Sequence, residues 1–379
     1  MEGDGGHPQT PAKGVSPLME SPFSCFMVLV VTPAWRILSA PISPEQLGVT
    51  MSHVHLMANW LIGGGEPPKE ASRRMLSEAP LTMDILGVIR RDAGLAKANM
   101  ILDNVDEAIA ELMFYKMAGG NSLVECSLPG MGQDPVALSK ISRATGVNII
   151  CSSGWYVAGS HPSYVKEKSV DELAAIIVGE LTRGIGTTGI KAGAIKVALS
   201  GTSKKPFIGD EEKVLRAVAR AQSKTGAALN IHPNFAGQHW HIYLDILKAE
   251  GANLAKCCAN HMEMFCPDLE YQKSVLERGI YIAYDQFGHE QYFDSVAPGW
   301  GFKPDSTRVE YLLQLIRAGY ANRIVLSNET AFKSCYKKYG GYGYAHILES
   351  ILPELRFKGV TEEQLNTMLI ENTKALLAF

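Results

Sequence analysis

The chain has 379 residues, 46% of them hydrophobic and 20% charged, with a formal net charge of −3. That is the composition of a soluble globular protein with a large core, at a length that one α/β barrel fills. No cluster of Lys and Arg marks a nucleic-acid surface, and the apolar run Phe23–Val31, with Pro33 close behind it, is too short to span a bilayer. The seven cysteines are odd in number and include no Cys-x-x-Cys pair. They read as reduced thiols of a cytoplasmic protein rather than as a disulfide frame.

Residues 1–40 read as a partly disordered N-terminal extension, because their first half is rich in Gly, Pro and Ser. The glutamate and aspartate at the very start do not suit a secretory signal. From 41 to 379 the chain alternates strand and helix. The strand candidates are 48–56, 121–127, 147–157, 190–199, 227–232, 255–261, 279–285 and 322–327. Several are near-continuous apolar runs, the pattern of parallel strands buried on both faces. Between them, 170–181 and 213–222 repeat apolar residues at helical spacing. Residues 349–379 form terminal helices. The fold class that follows is α/β, a (β/α)8 TIM barrel.

In such a barrel the chemistry sits at the C-terminal ends of the strands. The first strand carries His53 and His55, which project to the same side and can grip one metal ion. Later strand ends supply Lys196, His232, His261 and Glu329. A lysine in apolar surroundings is costly unless it snorkels to the surface or finds a partner. Carboxylated by CO2, Lys196 becomes an anionic bridge between two cations. Imidazole and oxygen ligands together suit Zn²⁺ and also accept Mn²⁺, Co²⁺ or Fe. Two such ions hold a bridging hydroxide at neutral pH and polarise a carbonyl or phosphoryl oxygen, so no serine or cysteine nucleophile is needed. No Gly-x-Ser-x-Gly elbow occurs in a strand–turn–helix context.

These segments resemble the phosphotriesterase family of the amidohydrolase superfamily, with its phosphotriesterase-like lactonases and phosphotriesterase-related proteins. The similar stretches are Gln46-Leu-Gly-Val-Thr-Met-Ser-His-Val-His55, Gly189-Ile-Lys-Ala-Gly-Ala-Ile-Lys-Val197, Asn230-Ile-His-Pro233, Asn260-His261, Tyr284-Asp285 and Leu326-Ser-Asn328. They run in order over all but about the first 40 residues. The resemblance implies that His53, His55 and the strand-eight acid bind the more buried of two metals. His232 and His261 bind the more exposed one, and carboxylated Lys196 bridges the pair. The acid also takes the proton of the attacking hydroxide, so Glu329 and Lys196 are the expected catalytic groups, with Tyr156.

Three departures from the family stand out. The strand-eight acid is normally aspartate and is Glu329 here; one added carbon moves the carboxylate by about 1.5 Å, and misplacement by about 1 Å costs on the order of 100-fold in rate. Val54 replaces a glutamate between the two histidines, on the side away from the metals. Gln286 and Met264 stand where true phosphotriesterases relay protons through a histidine and an acid, which argues against efficient triester hydrolysis.

Substrate-binding candidates are Tyr156, Asp285, His289 and Trp300. Tyr156 resembles the tyrosine that lactonases place beside the metals, a core tyrosine being the plain alternative. Asp285 resembles a position on the pocket floor. His289 and Trp300 lie with Tyr292 and Phe293 in the long loop 285–304, read as an aromatic lid or as a subunit contact. The segment 58–104 is a second candidate for the rim. Two function classes follow. One is a metal-dependent hydrolase of a small lactone, carboxylic ester or amide, with weak phosphotriesterase activity, acting as a homodimer. The other is a catalytically weakened metal-binding relative that serves as a binding protein.

Overall fold

In the computed structural model, which describes residues 42–62 and 68–379, all eight expected strands form and run parallel. They are β1 (Thr50–Val54), β2 (Ser122–Glu125), β3 (Asn148–Trp155), β4 (Ala194–Ala198), β5 (Leu229–His232), β6 (Cys257–Ala259), β7 (Tyr281–Tyr284) and β8 (Ile324–Leu326). Sequence neighbours pair from β1 to β8 in one eight-stranded sheet. The seam between β8 and β1 is bridged just beyond the ladders: the His53 amide donates to Ser327 Oγ at 3.1 Å, and the Glu329 amide donates to the His53 carbonyl at 3.2 Å. The expectation for residues 1–40, including Phe23–Val31, lies outside the described residues.

Each strand is shorter than its apolar run. His53, Lys196 and His232 lie within their strands, whereas His55, His261 and Glu329 follow theirs, where the backbone turns away from the sheet. His261 and Glu329 go furthest, with φ of 57° and 33°.

One helix packs outside after each of the first seven strands: α1 (Val105–Met117), α2 (Pro135–Thr145), α3 (Val170–Thr182), α4 (Glu211–Thr225), α5 (Trp240–Ala249), α6 (Leu269–Leu276) and α7 (Asp305–Arg317). Their starts follow from local chemistry. Asn104, Asp134, Ser169 and Asp268 each accept a hydrogen bond from an otherwise unpaired first-turn amide. Short helical pieces from Ile347 to Leu377 complete the ring.

Strand alternation sorts the core into two layers. Ile195 and Val197 of β4 face the helices, where they meet Val214, Leu215 and Val218 of α4 in the large cluster between sheet and helices. Ala194 faces the barrel interior with Val124, Ile150, Cys258, Ala283 and Val325, and Ile42, Leu47, Leu376 and Leu377 belong to that inner cluster. Lys196, two residues beyond Ala194, therefore points inward as well.

The two rim segments dock on each other. The Tyr292 amide donates to the Arg90 carbonyl and the Ala93 amide to the Tyr292 carbonyl, both at 2.9 Å, and the Arg91 guanidinium covers the Tyr292 ring at 4.1 Å. No helix among the described residues is long and apolar enough to cross a membrane. Cys126, Cys257, Cys258, Cys266 and Cys335 are buried free thiols, and Cys151 is buried as well.

Candidate metal centre

The aim of the first two histidines depends on an irregularity in β1. Met51 pairs with Leu123 and Val54 with Glu125, so β1 carries one residue more than β2 across that interval. Met51 and Val54 both face the helices although three positions separate them. The bulge thus inverts the strand's phase and turns His53 and His55 to the interior.

His53, His55, Lys196 and His261 converge with Glu329 above the inner apolar layer. His53 Nδ1 donates to Asp285 Oδ2 at 2.8 Å, His261 Nδ1 donates to Asp285 Oδ1 at 2.7 Å, and His55 Nδ1 lies 2.9 Å from Ser127 Oγ. Each of these rings is anchored through Nδ1, which leaves Nε2 for the centre. Those Nε2 atoms lie 3.5, 3.4 and 3.9 Å from Glu329 Oε1 for His53, His261 and His55. His232 joins from β5, its Nδ1 lying 2.9 Å from His261 Nε2. Lys196 Nζ lies 3.3 Å from His53 Nε2.

The electrostatics suit a cation. Burial, with Lys196 adding to it, takes His53 down to about 3. Burial also holds His55 and His232 well below the ordinary imidazole range. These rings are neutral at physiological pH, the form that binds metal. Burial pulls His261 down too, but Asp285 and Glu329 outweigh it and raise the ring. Asp285 is the reverse case: burial alone raises it, and the paired His261 and His53 hold it well below the usual carboxylate range. Burial pushes Glu329 up to about 6. His53, His261 and Glu329 each offer one ligand atom, all within 4.8 Å of one another. Imidazoles anchored through Nδ1 and one buried carboxylate form the N/O donor set of a first-row divalent cation, so the residues fit the metal that the fold implies.

The remaining predicted residues fall into place around this group. Asp285, expected to line the pocket floor, is fully buried and spends both oxygens on His53 and His261, which makes it the group that orients both rings. His289 Nε2 donates to the Glu329 carbonyl at 2.7 Å and steadies the turn that carries the acid. Gln286 Nε2 donates to Glu329 Oε2 at 3.3 Å, so the residue in place of a relay histidine instead fixes the carboxylate. Trp300 stands on the rim, 37% exposed, against Phe293 and Phe302.

Aromatic rings surround the centre, and sequence reasoning found only one of them. Tyr156 lies 5.4 Å from the His232 ring and 5.7 Å from Trp60. Trp60 lies 4.8 Å from His55, Phe235 lies 5.0 Å from His232, and Phe332 closes on Trp60 at 5.9 Å. The loop 285–304 reaches this collar at Phe332, which His289 and Phe293 both approach at 5.8 Å. Ser127 was also missed; a serine two residues past a strand carries no signal of its own.

A parallel barrel whose strand ends gather anchored histidines, a buried lysine and a carboxylate defines a metal-dependent hydrolase. The chain belongs to the phosphotriesterase family, whose model matches residues 36–377. It is 35% identical over 341 residues to an N-acetyltaurine hydrolase of Xenopus tropicalis, covering 89% of this chain and 96% of the relative. Among solved structures, a resiniferatoxin-binding protein from Rhodobacter sphaeroides superposes with a TM-score of 0.84 at 34% identity, over 89% of this chain and 93% of that one. A mutant PTE-like lactonase from Deinococcus radiodurans gives 0.68 at 25% identity, over 89% and 98%.

Proposed function

We propose that this protein hydrolyses a small carboxylic amide, ester or lactone at two divalent metal ions, most readily Zn²⁺, held by His53, His55, His232, His261, Glu329 and a carboxylated Lys196. The observation that carries the reading is the fixing of three histidines through Nδ1 while their Nε2 atoms converge on one glutamate oxygen. When bound, such ions lower the pKa of water and polarise the scissile carbonyl.

The chain's own groups do the rest. Glu329 presents Oε1 to the histidines and takes the proton lost in attack, while Gln286 holds Oε2. Tyr156 is placed to donate to the substrate oxygen. Trp60, Phe235 and Phe332 shed water and receive the apolar part of the substrate. Amide cleavage is supported by the N-acetyltaurine hydrolase relatives, and lactone cleavage by the structural neighbour from Deinococcus. We place the protein in the cytoplasm, as a homodimer. The buried free thiols of Cys126, Cys257, Cys258, Cys266 and Cys335 support a reducing compartment. The exposed Leu61, Met75, Met83 and Val88, all within residues 61–91, support a subunit contact.

Elemental analysis paired with a panel of N-acyl amides, esters and lactones tests the reading. We expect two metals per chain and hydrolysis that chelation abolishes. Metal binding without turnover of any member favours a binding protein instead, the reading that Glu329 in place of aspartate and the Rhodobacter neighbour support.

A further inference from the structure

Lys196 is fully buried, and its Nζ contacts two groups: His53 Nε2 at 3.3 Å and Asn260 Oδ1 at 3.1 Å. Asn260 follows β6, is fully buried, and donates through Nδ2 to Asn230 Oδ1 at 3.3 Å. Asn230 is the partner of Lys196 in the β4–β5 ladder. Lysine only donates, so this chain of contacts settles which end of the Asn260 amide faces Lys196: the oxygen does. The barrel interior here is otherwise apolar, with Ala194, Cys258 and Ala283 in the layer below. Two asparagines buried in such surroundings on neighbouring strands need a reason.

We propose that Asn260 is a positioning residue for carboxylated Lys196, its Oδ1 accepting the one N–H that the carbamate retains and so fixing the plane of the bridge. This rests on the reading of the metal centre given above. In carboxylation the Nζ lone pair forms an N–C bond to CO2, one C–O π pair moves onto oxygen, and one N–H proton leaves to water. The product nitrogen is planar and holds Cε, one hydrogen and the carboxylate carbon. With the hydrogen directed at Asn260 Oδ1, the remaining direction is the side of His53, where the ligand atoms lie. The opposite rotamer leaves Asn260 Oδ1 buried without a donor, a cost comparable to the hydrogen bond itself. Asn230, by holding Asn260 Nδ2, keeps the amide from turning over.

The test titrates isotope-labelled bicarbonate into the metallated full chain and reads the carbamate carbon by NMR, with metals per chain measured on the same samples. Asn260→Leu keeps the branched shape and removes the acceptor. We expect half-loading to need about tenfold more bicarbonate, the equivalent of one ordinary hydrogen bond, with metal content falling in step. Asn230→Leu shifts loading in the same direction by less. A role in folding alone moves the urea midpoint and leaves the bicarbonate dependence unchanged. Loading of Asn260→Leu at the parent's bicarbonate concentration overturns the proposal. If that variant does not fold, Asn260→Ala takes its place with the same two outcomes. Absence of the carbamate signal in the parent chain overturns the reading of the metal centre, and this proposal with it.

Discussion

At Glu329 the backbone enters the left-handed region, with φ of 33°, and the side chain is held from both ends. Gln286 Nε2 fixes Oε2, and Oε1 faces the histidines. A glutamate reaches further than the family's aspartate, and the turned backbone with the Gln286 tether is how this chain places the longer arm. Glu329→Gln keeps the shape but removes the charge and the proton acceptor, so turnover should fall to near background with little change in fold. Glu329→Asp should keep the parent's metal content and change turnover by about tenfold in one direction or the other, roughly 1.4 kcal/mol of barrier. Steady-state kinetics on metallated protein check both, and parental turnover in Glu329→Gln removes it as the proton acceptor. At this scale the histidines and Lys196 were legible because His and Lys are costly at the ends of apolar strands. Ser127, Asn260 and Phe235 were not. They are common residue types, and their meaning comes from contacts across strands far apart in sequence: Ser127 to His55, Asn260 to Lys196, Phe235 to His261.

The eight strands were legible as elements because each is an apolar run long enough to be buried on both faces. Their mutual fit was not. The bulge between Met51 and Val54 leaves no mark in composition, yet it decides that His53 and His55 face inward. A second case lies between β3 and β4. Gly154 pairs with Lys196 at a φ of 138°, and a Cβ placed there would sit 1.9 Å from the Lys196 carbonyl oxygen. That oxygen belongs to the backbone of a central strand and cannot move aside without moving Lys196. Gly154→Ala should therefore cost about 3 kcal/mol or more, since both strain and overlap oppose it, and should lower metal content. Gly186 is a control. Its φ is also positive, at 54°, but no atom lies within reach of an added Cβ. Gly186→Ala should cost only about 1 kcal/mol and leave metal content at the parent's level. Urea midpoints and elemental analysis separate the two, and equal losses would show that the close approach at Gly154 is not what matters.

For the whole molecule, the barrel's stability depends on polar groups buried close to its catalytic end, and pH is the variable that exposes this. Glu125 ends β2, is fully buried, and accepts hydrogen bonds from the Leu56 and Ser127 amides at 3.3 and 3.2 Å. Burial raises it to about 7 from an ordinary value of 4.5. A group raised in the folded state favours folding fully below its unfolded value, and that contribution drains away as pH climbs to the folded value. For Glu125 the window is 4.5 to about 7, and the loss across it is on the order of 3 kcal/mol. Other buried acids share the trend; Glu263 is pushed up to about 8, chiefly by burial. The clean measurement is therefore the difference between parent and Glu125→Gln. Glutamine keeps one acceptor oxygen and never ionises. In urea titrations of chelated protein, parent and variant should have similar midpoints at pH 4.5. The variant should then become the more stable as pH rises, with the gap levelling off above about 7. Parallel midpoints from pH 4.5 to 8 would mean that Glu125 ionises in the fold without penalty. The carboxylate beneath Ser127 and His55 would then be solvated in a way that its burial and two amide partners do not provide for.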